Sequence, residues 1–480
     1  MVGSEVSVPL VVDVDGTLVR GGLLSEAVTR LAAVSPLAVL SLLLRAALSI
    51  VDGGAAVRRR LALLTPPLPA TLSLNEAVTA EIAAARQAGR QIWLASGADG
   101  RLVAPLAEAV GAAGWLASGR GTMLVGAARS AVLVERFGEG GFDYVGSRRR
   151  DLPVWRRARR AVGVGLSRRL SQAIRALDGE ARLLPGSGGR ALDYVLALRP
   201  HQWIKNAVVF GPIVAAHETR PELYLVVAGL FGALSAAASG GYLLNDLFDL
   251  PYDRAHQRKR RRPLAAGRLP LLPAGSLGVA LVAGGVAAAF GLSAAAGGCV
   301  AAYVLLTFAY SLVLKRRVFV DVAVLALLFT VRTLAGAAAI AVPVSTWFLA
   351  FAFFVFLALA ILKRQGELSV LRATGKSALP GRAYTVEDRA VLAGFAAASG
   401  MASVVVLALY IQSPEVRALY GRPEVLWLVG PLLVTWLGRM TLLADRGRLG
   451  DDPVLFAVGD RVTWLTTLAA GAAAACAAVL

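Results

Sequence analysis

Two cysteines, Cys299 and Cys476, and three histidines, His201, His217 and His256, are all that this chain of 480 residues contains of those types. Both cysteines lie inside apolar runs, which excludes a disulfide framework and a Cys-based metal site. The wide spacing of the histidines speaks against a zinc or haem site built on them. The N-terminus lacks the unbroken apolar run of a cleavable signal, because Asp13 and Asp15 interrupt it; internal segments are therefore expected to direct insertion. Acidic residues are also scarce, 31 against 50 Lys and Arg, leaving a formal charge of +19. A basic chain can bind nucleic acid, but 57% hydrophobic residues arranged as repeated runs of Ala, Leu and Val are not what such a binder needs. Apolar segments in a membrane with basic loops on the cytoplasmic side reconcile the two numbers, and no nucleic-acid partner is expected.

The chain divides in character. Residues 1–185 read as an α/β domain: VPLVVDVDGTLV is a strand ending in carboxylates, QIWLASGA a second ending at Ser96, and FDYVGS a third ending at Gly146. Helical stretches such as LNEAVTAEIAAARQAG separate them, the alternation of a parallel sheet. An apolar insertion, 31–51, broken by Pro36 and Arg45, is expected to lie against the membrane or the second domain. The Arg- and Gly-rich stretch from Arg156 to Arg190 reads as a cationic linker near lipid headgroups. Residues 196–480 read as an all-α polytopic membrane bundle. Nine spans are expected, roughly 203–218, 222–245, 270–293, 296–314, 318–340, 343–363, 389–412, 424–443 and 461–479. Basic loops follow spans two, four, six and eight, which puts them and the N-terminal domain in the cytoplasm.

The most informative stretch is GGYLLNDLFDLPYDRAHQRKRRRPLAAGR, at the end of the second span. Offsets of three, four and seven bring Asp246, Asp249 and Asp253 onto one helical side, next to Asn245. Carboxylates at the mouth of a membrane helix are costly and usually functional. Clustered, they repel one another unless a cation sits among them; a hard divalent ion with oxygen ligands, Mg2+ carrying a phosphorylated substrate, fits best. Pro251 is expected to end or kink the helix near Leu250, which leaves the direction of Asp253 open. A solvated acidic helix end followed by a positive-inside anchor is the competing explanation. Other polar groups gather on the same side of the membrane: Lys205 and Asn206, Tyr310 and Lys315, Asp321, and Arg332 eleven residues after it. Lys205, Arg254, Lys259, Arg262, Lys315 and Arg332 are the candidates for phosphate. Carboxylates for a metal, surrounded by cations, suit a diphosphate leaving group.

NDLFDLPYD resembles the NDxxDxxxD motif of the UbiA superfamily of intramembrane prenyltransferases. LRPHQWIKN, the DRAHxxKRxRPLAAG continuation, YSxxLK followed by Asp321, and DDPV…DRV resemble one branch, the decaprenyl-phosphate phosphoribosyltransferases. The resemblance covers about 198–462 and implies a nine-helix bundle with a Mg2+-dependent cytoplasmic site, in a bacterial cytoplasmic membrane. It implies Asn245, Asp249 and Asp253 as the metal–diphosphate motif with Asp246 beside them, and Asp321 as a further catalytic residue. Many members carry a second motif, DxxxD; here Leu325 stands four residues after Asp321, so that motif is incomplete. This favours phosphoribosyl transfer from phosphoribosyl pyrophosphate to polyprenyl phosphate. The alternatives are prenyl transfer from a polyprenyl diphosphate to an aromatic or other small acceptor, and a non-catalytic scaffold that binds polyprenyl phosphate.

DVDGTL resembles the nucleophile motif of haloacid-dehalogenase-like hydrolases, with Asp13 as nucleophile, Asp15 as acid/base and Ser96 as the second motif's hydroxyl. Two departures matter. Val125 stands where a Lys is expected, although Arg129 is near, and Ser147 stands where a metal-binding Asp belongs, leaving Asp151. The implied head is degenerate as a phosphatase; were it active, the 5-phosphate of a polyprenyl phosphoribose would be its attractive substrate.

Overall fold

In the computed structural model the described residues are 8–35, 38–39, 41–42, 53–64, 72–119, 123–186, 189–375, 377–379, 382–450 and 452–479. They form two compact units, one of residues 1–198 with 242–277, the other of residues 199–241 with 278–480. The segment that carries the acidic motif thus groups with the N-terminal residues.

In the first unit six parallel strands make one sheet: β1 (Leu10–Asp13), β2 (Ile92–Asp99), β3 (Gly114–Ser118), β4 (Asp143–Gly146), β5 (Ala161–Val164) and β6 (Arg182–Leu184), ordered β3-β2-β1-β4-β5-β6. The alternation of side chains along a strand explains the apolar run of β1: Leu10 and Val12 enter one core with Leu94, Val145 and Val162, and Val11 the other with Ala95, Tyr144 and Trp155. The order reverses between β1 and β4, the switch point at whose carboxyl ends such sheets bind ligands. Asp13 ends β1, Ser96 lies in β2, and Ser147 follows β4 directly.

The stretch from Arg156 to Arg190 is not a linker. It supplies β5, the helix Arg168–Leu177 and β6. Four residues, AVGV, are wholly buried in β5, and Ser167 caps the helix by accepting from the Leu170 amide. The arginines flank these short apolar pieces and hid them. Much of the apolar stretch 31–51 lies outside the described residues; of those described, Leu31 and Leu42 belong to the N-terminal domain's core.

Eight helices among the described residues are long and apolar enough to cross a membrane: Pro221–Phe248, Leu271–Leu292, Ala294–Leu312, Val320–Ala339, Thr346–Ala373, Val386–Gln412, Pro423–Asp445 and Arg461–Val479. The first expected span, 203–218, is different. It is a 3-10 segment, Pro200–Phe210, followed by a short α-helix, Gly211–Ala215. Polar His201, Gln202, Lys205 and Asn206 and the Gly211–Pro212 pair deny it a continuous apolar α-helix. The sixth expected span instead runs ten residues beyond 363, to Ala373. Small residues let helices in the second unit touch backbone to backbone: a Cβ on Gly336 would lie 2.1 Å from the Val209 carbonyl oxygen, and one on Gly285 2.5 Å from that of Ala233.

Candidate active site

The acidic segment begins where the helix α1 (Pro221–Phe248) gives way to α2 (Leu250–Ala255). Pro251 occupies the first turn of α2, where its missing N–H is harmless. The interruption is one residue long, since the Asp249 amide still donates to Asn245 O and the Asp253 amide to Asp249 O, each at 2.9 Å. Asp253 therefore keeps its side: Arg262 Nη1 donates to Asp253 Oδ2 at 2.6 Å and to Asp246 Oδ1 at 3.1 Å. Asp246 and Asp253 are buried, whereas Asn245 and Asp249 are half-buried, with Asn245 Nδ2 donating to Asp249 Oδ2 at 3.1 Å. Burial raises the Asp253 carboxyl, the Arg262 charge opposes that, and Asp246 adds to it. Lys259 Nζ stands 3.9 Å from Asp253 Oδ1. For a divalent metal this donor set is right in kind, all oxygen, with two donors already on adjacent turns. Asp246 and Asp253 share Arg262, which a metal would have to draw away from Asp253, and among the described residues no three His, Cys, Asp or Glu side chains are already gathered; the set at hand is one Asn, Asn245, with Asp249 and Asp253. Arg254, expected to meet phosphate, forks onto Glu26 instead, at 2.7 and 2.9 Å.

The sheet's switch point holds a second acidic group. Asp13, fully buried, accepts from Arg129 Nη1 at 2.6 Å and from the Thr17 hydroxyl at 2.7 Å. Asp15 accepts from the Ser96 hydroxyl at 2.5 Å and from the Leu23 amide at 2.9 Å. Asp151 accepts from the amides of Ser147 and Arg148, at 3.1 and 3.0 Å. Arg129, itself buried, also donates to Tyr144 and reaches Asp151 at 3.5 Å. Burial pushes the Asp13 carboxyl up to about 7, Arg129 opposing and Asp151 and Asp15 adding.

In the second unit Asp321 is wholly buried and saturated. Arg364 Nε donates to it at 2.7 Å, the Tyr384 hydroxyl at 2.5 Å, and Arg382 lies 3.7 Å away. Tyr310 accepts from both Arg364 and Arg382, each at 3.0 Å, and Arg364 also pairs with Glu367 at 2.6 Å. Arg332 does not join Asp321 in this network. Its guanidinium donates to the Tyr303 hydroxyl at 3.1 Å and stacks over the Tyr303 and Phe329 rings. Lys205 pairs with Asp452, which also caps the helix Pro453–Gly459, and Lys363 stands within their electrostatic reach. Asn206 Nδ2 donates to Ser235 Oγ at 3.1 Å. Lys315 lies in the 3-10 turn Leu314–Arg316. Arg382 and Tyr384, which no motif announces, sit in a loop 61 and 63 residues after Asp321, beyond any helical spacing rule.

The model of the UbiA prenyltransferase family matches residues 207–459, more than half of the chain. The chain belongs to that family. It is an integral membrane protein and a transferase. It is 32% identical over 462 residues to the uncharacterized protein y4nM of Sinorhizobium fredii, an alignment covering 95% of this chain and 88% of that protein. Over 186 residues it is 34% identical to the decaprenyl-phosphate phosphoribosyltransferase of Mycobacterium tuberculosis, covering 38% of this chain and 62% of that protein. A UbiA homolog from Archaeoglobus fulgidus bound to GPP and Mg2+ is a solved structure with 15% identity and a TM-score of 0.45, covering 58% of this chain and 99% of that one.

Proposed function

We propose that this UbiA-family transferase moves a phosphoribosyl group from phosphoribosyl pyrophosphate to a polyprenyl phosphate, with Mg2+. The observation that carries the choice of donor is the condition of Asp321. Its carboxylate is taken by Arg364, Tyr384 and Arg382, and Leu325 stands where a second acidic motif would put its partner. One acidic motif beside many cations suits a donor bearing one diphosphate and an acceptor bearing one phosphate. The name of the mycobacterial relative supports the same reading.

In this reading an acceptor phosphate oxygen bonds to the anomeric carbon as the bond to pyrophosphate breaks, the electron pair leaving with pyrophosphate. The acceptor is already an anion, so no base is needed. Asn245, Asp249 and Asp253 would hold Mg2+, which supplies charge neutralisation to the leaving group. Arg262 and Lys259 hold the carboxylates' charge in balance and bind phosphate oxygens as substrate enters. Lys205 and Arg332 are likewise proposed as phosphate ligands. The N-terminal domain, which we bound at 1–185 with the membrane domain at 196–480, reads as haloacid-dehalogenase-like, supported by Asp13, Asp15, Ser96 and Asp151 around a switch point. Ser147 for Asp argues against a working Mg2+-dependent phosphatase. The alternating loop charges support a bacterial cytoplasmic membrane with this domain on the cytoplasmic side.

The test is made in nanodiscs with Mg2+, radiolabelled phosphoribosyl pyrophosphate and polyprenyl phosphate, beside a labelled polyprenyl diphosphate with an aromatic acceptor. Ribose label entering lipid, and lost with Asp249→Ala, is expected. Label moving only from the prenyl diphosphate would overturn the choice of donor and return the chain to ordinary prenyl transfer.

A further inference from the structure

The loop that follows the acidic motif is pinned at three places, two from the N-terminal domain and one from the helix Ala191–Leu198 after it, all within the first compact unit. Glu26, 1% exposed, holds the Arg254 fork with both oxygens, at 2.7 and 2.9 Å, while Arg254 Nε donates to Ala265 O at 3.2 Å. One guanidinium so ties the end of α2 to the returning limb of the loop. The neighbouring carbonyl, Ala266 O, accepts from Arg20 Nη1 at 3.0 Å and from Ser73 Oγ at 3.2 Å. Beside it, Gly267 turns with φ +67°, and a Cβ there would meet Ser73 Oγ at 2.7 Å. Asp193 pairs with Arg268 at 2.9 Å. Between these pins lies Arg262, the residue that joins Asp246 to Asp253.

We infer that Glu26 is a positioning residue for the transferase: through Arg254 it fixes the loop from 256 to 268, and with it Arg262 and Asp253, in the arrangement the acidic motif needs. The inference rests on the transfer reaction proposed above for its consequence, though not for its geometry. A buried, two-point carboxylate–guanidinium pair is directional, so it sets the loop's position rather than merely its charge. The domain is then a working part of the transferase whether or not it has chemistry of its own. The route back to its own acidic group is short. Asp15 accepts the amide of Leu23, the first residue of the helix Leu23–Val34 that carries Glu26 one turn later.

The full-length protein in nanodiscs tests this with Glu26→Gln, Arg254→Lys and the exchanged pair Glu26→Arg with Arg254→Glu. Each single variant should lower kcat by roughly ten- to a hundredfold while KM for the diphosphate donor moves little, as displacement of a supporting group does. The exchanged pair should recover much of that loss. Amide exchange over 256–268 should quicken in Glu26→Gln and slow again in the exchanged pair. Arg20→Ala, which removes a separate pin, should quicken the same amides more weakly. If Glu26→Gln is silent while Arg254→Lys raises KM, Arg254 is a substrate ligand and the inference falls. Unchanged exchange in Glu26→Gln and Arg20→Ala overturns it too. Should wild type transfer neither label, the reaction is wrong, and the exchange data alone decide whether the domain holds the loop.

Discussion

Asp249 and Asp321 are both aspartates at the ends of long apolar helices, and their surroundings are opposite. Asp321 is completely buried, with two arginines and a tyrosine closing on its oxygens. Asp249 is half-buried beside the amide of Asn245. A carboxylate enclosed by arginines holds helices and loops together; one that keeps an exposed edge can still take a ligand. The same residue type at similar places in the chain is thus enclosed in one case and half-exposed in the other. Position in a motif does not separate them; partners do.

The most severe way to break this comparison is to remove Asp321. Asp321→Ala takes from the buried Arg364 guanidinium one of its two carboxylates, leaving Glu367 alone, and strips the Tyr384 hydroxyl of its acceptor; removal of one member of a buried ion pair costs about 3–5 kcal/mol. Loss of folded protein is expected, read as a large fall in the thermal midpoint in detergent and in monodisperse yield. Asp321→Asn, which keeps the shape and one acceptor, should fall between. If Asp321→Ala were stable but inactive, Asp321 would belong with Asp249 and the contrast would be wrong.

Asp249→Ala is the reverse case. Asp249 is half-buried and accepts from the uncharged Asn245 amide, so stability should stay within about 1 kcal/mol of wild type, while transfer falls about a hundred- to a thousandfold, the usual loss when a group stabilising developing charge is removed. Chelation of divalent metal should produce a comparable loss in wild type. A variant with full activity after Asp249→Ala would remove the acidic motif from the mechanism.

What the sequence revealed follows from how far apart the interacting residues lie. Continuous apolar runs announce membrane helices, and the expected 222–245 and 461–479 meet Pro221–Phe248 and Arg461–Val479 closely. The expected span 203–218 deceived because its apolar residues outnumber its polar ones while Gly211 and Pro212 break it. Three strands, β1, β2 and β4, were legible from their apolar cores; β3, β5 and β6 were not, and length alone is not the reason, since β1 and β4 are also only four residues, but glycines and arginines flank their apolar pieces and blur them. The acidic motif is local, one helix turn after another, so spacing alone brought Asp246 and Asp253 together. Arg254 misled for the complementary reason. Its partner, Glu26, is 228 residues away, and no local pattern distinguishes an arginine awaiting phosphate from one already paired. Tyr384 and Arg382 were missed on the same ground.

A third aspartate sharpens the comparison where solvent pH can reach it. Asp143 opens β4 and is held by the Arg159 fork, both bonds 2.8 Å, and by Arg90 at 2.5 Å. Burial alone would raise its carboxyl, but Arg159 and Arg90 outweigh that and hold it below the ordinary value of 3.8. The unfolded chain therefore binds this proton more readily than the folded one, and stability rises with pH across the interval between the two values. Its contribution is complete above the unfolded value and is lost as pH falls through the folded one, below 3.8. The measurement is the thermal midpoint of the N-terminal domain within the full chain, followed by Trp fluorescence, for wild type and Asp143→Asn from pH 7 to pH 3. Asp143→Asn should be less stable at pH 7, and the two curves should converge only below about pH 4. Convergence already at pH 6 would mean that Asp143 is protonated near neutrality despite its arginines. Enclosure by guanidinium groups would then not be what fixes an aspartate in its structural role.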